Sequence, residues 1–160
     1  MAYTTIDKPT DYFNTKLYTG NGGTQSISSV GFQPDWVWYK NRSISANHGL
    51  FDSVRGATKL IQSNNTGAEQ TVSGVTSFDS DGFGIGSDSD GNGSGNSIVS
   101  WNWKAGGSAS SNTDGSITST GSANTTAGFS IVSYSGSNSN SPVGHGLWVA
   151  PKAIIIKRRN

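Results

Sequence analysis

The chain is predicted to be all-β, an antiparallel β-sandwich or jelly roll with a lectin-like layout. Three observations predict this. Helix formers are scarce: Glu69 is the only glutamate, and Ser, Thr, Asn and Gly make up about half of the 160 residues. Aromatics still reach 10%, with five Trp, at a net charge of only +1, whereas disordered chains are poor in aromatics and strongly charged. Finally, β-branched and aromatic residues fall in short runs bounded by Gly, Asn, Asp, Ser or Pro, the pattern of sandwich strands and their turns.

An N-terminal arm, residues 1–12, precedes the first strand, Phe13–Tyr18. The second, Asp35–Lys40, follows Pro34, which is tolerated at a strand start because its missing N–H is not yet needed there. Ser53–Leu60 is the best helical candidate, but Gly56 interrupts it and limits it to one turn. Strands are expected at Lys59–Gln62, Gly82–Ile85 and Ser97–Lys104. In the last of these Ile98, Ser100, Asn102 and Lys104 share one face, and Val99, Trp101 and Trp103 the other. The spacing of two in Trp36–Trp38 and in Trp101–Trp103 puts each pair of rings on one face, expected to be the sandwich core. This domain runs over residues 13–106. Residues 107–128 read as a Ser/Gly/Thr-rich surface connection with an added strand at Ser116–Ser119. Phe129–Tyr134 and Ala153–Lys157 are the last strands expected.

Two blocks repeat. Phe13, Tyr18 and Gly20 match Phe129, Tyr134 and Gly136, and residues 30–42 match 147–159, at an offset of about 116–117. In the second block Pro34 becomes Pro151, and the Lys-Asn-Arg of 40–42 becomes Lys157-Arg158-Arg159. The offset exceeds the roughly 20–50 residues of solenoid repeats and suits tandem domains. Residues 129–160 are therefore expected to be the first hairpin of a second copy, cut short at Asn160; closure of the first sandwich by that hairpin is the alternative.

Several classes drop out. The absence of cysteine removes disulfides, thiolate metal sites and a cysteine nucleophile. Near-neutral charge gives no general drive toward nucleic acid or anionic membrane. The start of the chain lacks the basic and apolar regions of a secretory signal, and the apolar run 153–156 is too short to span a bilayer. The expectation is a soluble protein made in a cytoplasm.

Chemistry-bearing patterns are few. Asp88, Asp90, Asn92 and Gly93 have the opening spacing of an EF-hand loop, and Asp88, Asp90 and Asn92 are the candidate calcium ligands. The closing Glu would fall at Val99 and no flanking helices are expected, so only a β-loop calcium site stays open, beside the plainer reading that Asp, Asn and Gly build hairpin turns. No other cofactor is expected. His48 lies close to Asp52 and Ser53 in sequence, but neighbours on an extended segment seldom converge into a triad. His145 sits in the turn Gly144-His145-Gly146, where a loop hydrogen bond is the commoner role. Trp and Tyr side chains could stack on sugars if exposed. Tyr12, Lys157, Arg158 and Arg159 are the candidate contact residues between chains, the three basic ones being read as a strand end in water.

One resemblance spans almost the whole chain. Tyr3-Thr4-Thr5-Ile6-Asp7-Lys8-Pro9, Tyr18-Thr19-Gly20-Asn21-Gly22, Gly31-Phe32-Gln33-Pro34-Asp35-Trp36-Val37-Trp38 and Phe51-Asp52-Ser53-Val54-Arg55-Gly56 carry it. Phe78-Asp79-Ser80-Asp81-Gly82-Phe83, Trp101-Asn102-Trp103-Lys104-Ala105-Gly106 and Gly144-His145-Gly146-Leu147 continue it. The sequence resembles the repeated β-sandwich domain of virion structural proteins, such as tail fibres, of tailed bacteriophages, marine ones especially. The resemblance implies a non-enzymatic viral structural protein on the virion. Independently, a core poor in apolar residues gains from oligomerisation and strand edges need pairing or covering, so Met1–Tyr12 and the C-terminal hairpin are expected to make contacts between copies, in a homo-oligomer, or with other virion proteins. It supplies no catalytic or ligand-binding residue. Recognition of host surface glycans, with a possible calcium loop, is the alternative; a polysaccharide-degrading enzyme would need a facing carboxylate pair that the sequence does not signal.

Overall fold

A computed structural model describes residues 6–160 and shows an antiparallel β-sandwich. After a single 3-10 turn at Pro9–Asp11 come β1 (Phe13–Thr19), β2 (Gln25–Ile27), β3 (Trp36–Asn41), β4 (Gly49–Asp52), β5 (Lys59–Gln62) and β6 (Gln70–Thr71). Then follow β7 (Val75–Asp79), β8 (Gly82–Ile85), the one-turn helix α1 (Ser89–Asn92), β9 (Ser97–Trp103), β10 (Ser110–Asn112), β11 (Ser119–Asn124) and β12 (Phe129–Tyr134). The main sheet has the order β1-β9-β3-β4-β5-β6, and a small sheet, β2-β8-β7, covers one of its faces.

The core forms between these two sheets. Val37, Tyr39, Phe51, Leu60 and Ile98 of the main sheet meet Ile27, Val75, Phe83 and Ile85 of the small one. Each such side chain contributes roughly 1.5–3 kcal/mol by leaving water. Glycine sets the fit at one point: a Cβ on Gly49 would lie 2.4 Å from the Tyr39 ring, so the bare backbone of β4 makes room for it.

The tryptophans do not lie in this core. In β3 the residues Val37, Tyr39 and Asn41 are buried, while Trp36 and Trp38 alternate with them and are half-buried on the opposite face. Trp101 and Trp103 are half-buried on that outer face too, across from Ile98, Ser100 and Asn102 on the buried face. Period-two spacing fixes which residues share a face; it does not say which face the small sheet covers.

Beyond residue 106 the structure differs from a plain connection. Residues 107–128 carry β10 and β11, which with β12 form a third sheet in the order β10-β11-β12. Ile117 makes only an isolated parallel bridge to Val143, and the strand expected at Ser116–Ser119 begins at Ser119 instead. Residues 153–157 join no strand. The third sheet is tied to the sandwich through Asp35, buried at the start of β3. Its carboxylate accepts the Ala105 N–H at 2.7 Å, the Gly107 N–H at 3.4 Å and the Ser53 hydroxyl at 3.0 Å. The Gly106 N–H donates to Ser122 Oγ, and Asn124 Nδ2 donates to the Ala105 carbonyl.

Candidate functional site

The outer face of the main sheet is an aromatic ladder. Register places Phe13, Trp103 and Trp36 side by side on β1, β9 and β3, and Trp101 beside Trp38 one step along. Ring centres are 4.8 Å apart for Phe13–Trp103, 4.5 Å for Trp36–Trp103 and 5.9 Å for Trp38–Trp101. At one end Phe129 of β12 stacks on Trp36 at 5.7 Å and on Trp103 at 6.2 Å, so the third sheet caps part of the ladder. Beside this cap, Ile6, Pro9, Tyr12, Phe13, Trp103, Ala127 and Phe129 line a cleft of about 250 Å³. Tyr12 thus sits in the cleft wall, and its carbonyl accepts the Lys104 N–H.

At the other end the ladder carries a titratable partner, His48. Trp38 Nε1 donates to His48 Nδ1 at 2.8 Å, which requires that nitrogen to be unprotonated. Burial and the nearby Lys40 both hold His48 below the usual histidine range. A histidine depressed in the folded state lends stability that is complete above its unfolded value, about 6.5, and is lost as pH falls toward and through the folded value. We expect the thermal midpoint of the protein to drop on acidification through that window, and the drop to be smaller in His48→Gln. Equal pH profiles for the two proteins would show that the Trp38–His48 bond does not couple to stability.

The acidic loop is built for structure. Asp88 caps α1, accepting the Asp90 N–H and, at 2.5 Å, the Tyr39 hydroxyl. Burial first, then the Asp88 charge, pushes the Tyr39 phenol well above its ordinary range, so it stays a proton donor. Burial and the neighbouring Asp88 likewise raise Asp90. Asn92 is fully buried and spent. Its Oδ1 accepts the Asn21 N–H at 3.0 Å and Gln25 Nε2 at 2.6 Å, while its Nδ2 donates to Asn21 Oδ1, Gly23 O and Gly86 O. The only side-chain oxygen of Asn92, one of the three residues expected as calcium ligands, thus holds two donors, and the side chain pins the β1–β2 turn to α1. Among the described residues no group of three or more His, Asp or Glu is placed to hold a metal ion.

The residues of the sequence-proximal triad point to different partners. His48 serves Trp38, Asp52 pairs with Arg55 at 2.6 Å, and Ser53 Oγ donates to Asp35. His145 Nδ1 accepts the Leu147 N–H within its own turn.

The C-terminal basic cluster is not free in water. Lys157 Nζ donates to the Asn65 carbonyl, and Arg159 grips Glu69 through Nε and Nη2, both at 2.8 Å. Glu69 also takes Arg55 Nη1 at 3.0 Å, so a chain of charges runs from buried Asp52 out to Arg159. Arg158 bonds the Asn160 side chain. Next to these anchored charges stand the most exposed large apolar residues: Trp148 at 84%, Val149, and Ile154, Ile155 and Ile156 at 71%, 68% and 75%.

A family model matches residues 8–160, running without a break across both repeated blocks. The chain belongs to the DUF7483 family. That family is described only as a domain of unknown function. No curated protein and no solved structure matches the chain. Membership of DUF7483 leaves the role of the chain to be argued from the surfaces described above.

Proposed function

We propose that this DUF7483 domain is a non-enzymatic structural component of a phage particle, a tail-fibre or surface-fibre module joined to its own copies and to other virion proteins. The resemblance in its motifs supplies the phage attribution. The observation that carries the structural role is the exposed apolar run Trp148, Val149 and Ile154–Ile156, in a chain only 32% hydrophobic. Large apolar side chains left exposed within nine residues of one another are candidates for association surface. Antibody or gold labelling of purified particles tests the reading: label on fibres or appendages is expected. Particles that lack the chain overturn it.

A second reading, recognition of host surface glycans, is favoured by the ladder itself. Half-buried Trp38 and Trp101 lie on the sheet face away from the small sheet, beside His48, where flat rings present an apolar side and a polar tip. Titration with host surface polysaccharide should quench tryptophan fluorescence saturably in the wild type and weakly in Trp101→Ala. Absence of saturable quenching in the wild type rejects this reading.

A further inference from the structure

The third sheet differs from the rest of the protein in what holds it. Among the described residues none of its strands is backbone-paired with the main or the small sheet, and none of its side chains belongs to the core cluster. Its polar side chains are spent instead on the segments that lead into and out of it. Ser122 Oγ accepts the Gly106 N–H and donates to the Gly107 carbonyl, and Asn124 Nδ2 donates to the Ala105 carbonyl. On the far side Ser119 Oγ donates to the Gly144 carbonyl, and the Ile117 N–H donates to the Pro142 carbonyl. Residues 105–107 and 142–144 are thereby fastened to β10, β11 and β12 and form one body with them.

Among the described residues, the polar and ring contacts that join this body to the main sheet lie close together at one end of β3. The Asp35 carboxylate, 2% exposed, accepts the Ala105 and Gly107 N–H groups. Next to it Phe129 lies nearly parallel to Trp36, at 13°, and to Trp103, at 23°, and these two tryptophans are themselves paired across β3 and β9. The chain enters the body between Lys104, whose N–H is still held by the Tyr12 carbonyl, and Ala105, which is already bonded to Asn124. It leaves through residues 148–156, which join no strand, and returns to the sandwich where Lys157 and Arg159 are anchored. A stretch of that length can span up to about 30 Å, so it allows the body to move while both anchors hold. Arg159 Nη1 also reaches Ser133 of β12 at 3.2 Å, but its side chain is 47% exposed and water can replace that bond. A unit of small polar residues, held on one side and outside the apolar core, opens at a lower free energy than the core strands.

We propose that residues 105–144 are a lid on the aromatic ladder, which turns as one body about Lys104–Ala105 and lifts Phe129 off Trp36 and Trp103 while both sheets of the sandwich stay folded. Phe129 is a plug supplied by the chain itself, seated where another flat ring would stack. With the lid closed, Trp38 and Trp101 are the half-buried rings beyond the cap; with it open, Trp36 and Trp103 join them on the same face. The inference rests on neither reading given above, because it concerns how much of the ladder is uncovered and not what binds there.

Native-state hydrogen exchange of the 160-residue protein in rising urea, read amide by amide by NMR, tests this. The amides of β11 and β12 are expected to be protected, and to exchange through one shared opening at least about tenfold faster than those of β8 and β9, with a smaller urea dependence. Phe129→Ala should speed β11 and β12 together by about tenfold more and leave β8 and β9 within about twofold. The wild-type profile decides the matter even if the variant folds poorly. The inference is overturned if β11 and β12 exchange only in the global unfolding that frees β9, if they show no protection, or if they open independently of each other. It is overturned equally by a Phe129→Ala protein in which all strands exchange faster alike or none does.

Discussion

Asn92→Ala should cost about 3–5 kcal/mol of folding stability, seen as a large fall in the urea midpoint with the chain still folded in water. The reasoning is an accounting of orphaned groups. Truncation leaves the Asn21 N–H without an acceptor, leaves the Gln25 amide only its bond to the Thr19 carbonyl, and leaves the carbonyls of Gly23 and Gly86 without a donor. Each buried group left unpaired costs roughly 1–3 kcal/mol, less where water enters the gap. Backbone cannot move in to compensate. Gly20 already lies so close that a Cβ there would come within 2.2 Å of the Gly93 carbonyl. Asn92→Asp provides the chemical control. It keeps an acceptor for Asn21 but sets a carboxylate oxygen against the Gly23 and Gly86 carbonyls. That repulsion raises the carboxyl pKa of the variant in the fold, so its defect should be worst near neutral pH and ease as pH falls through the raised value. An Asn92→Ala variant within about 0.5 kcal/mol of the wild type, the range of an ordinary surface change, would show that the loop is held by its glycines and turns alone.

Much of the fold was legible in the residues, for reasons that also explain what was not. Lys59–Gln62 and Gly82–Ile85 are strands within the limits their β-branched and aromatic runs suggest, and Ser97–Trp103 loses only its final lysine. Such runs are bounded by residues that break a ladder. The overlooked strands lack that contrast. Gly49–Asp52 opens on a glycine that exists to admit the Tyr39 ring, and Val75–Asp79 carries an irregularity between Val75 and Ser77 that breaks its alternation. Ser110–Asn112 is wholly polar and becomes a strand only because β11 lies beside it.

The face of the tryptophans was illegible for a deeper reason. Rings weigh heavily in any guess at a core, yet the buried face of β9 is Ile98, Ser100 and Asn102. Small polar residues are buried there because they meet backbone and their own neighbours: Asn102 Nδ2 donates to the Asn14 carbonyl and to Ser100 Oγ. Asp35 and Arg55 escaped notice, and Asn92 drew it only as a candidate calcium ligand, on similar grounds. Each looks like an ordinary turn or loop residue until distant segments converge on it, and no local spacing encodes that convergence.

Arg55→Met should be the second large loss, about 3–5 kcal/mol by the general cost of stranding a buried charge. Arg55 is 5% exposed in its side chain and meets Asp52 at 2.6 Å and Glu69 at 3.0 Å, with its remaining N–H groups on the Lys59 and Leu50 carbonyls. Methionine keeps the bulk and removes the charge, so the result reads electrostatics in preference to packing. Asp52, 7% exposed in its side chain, is left with the Arg55 backbone N–H at 2.8 Å and no counter-ion. Arg159→Ala should cost far less, about 1 kcal/mol or under, because its side chain is 47% exposed and water replaces what is lost. The pH dependence separates the two ends of the network. Arg159 first, with help from Arg55, holds Glu69 below the usual carboxylate range. The stability Glu69 lends is therefore complete above its unfolded value near 4.3 and disappears as pH falls through the lower folded value. Removing Arg159 moves that loss to higher pH, whereas removing Arg55 lowers stability even at neutral pH, where Glu69 is ionised. Because the two arginines share one carboxylate, their effects should not add: the double variant should be less damaged than the summed single ones, by a coupling of about 0.5 kcal/mol or more. Strict additivity would mean that Arg159 docks on Glu69 without sensing Arg55, and that the C-terminal segment is tethered independently of the sandwich it lies against.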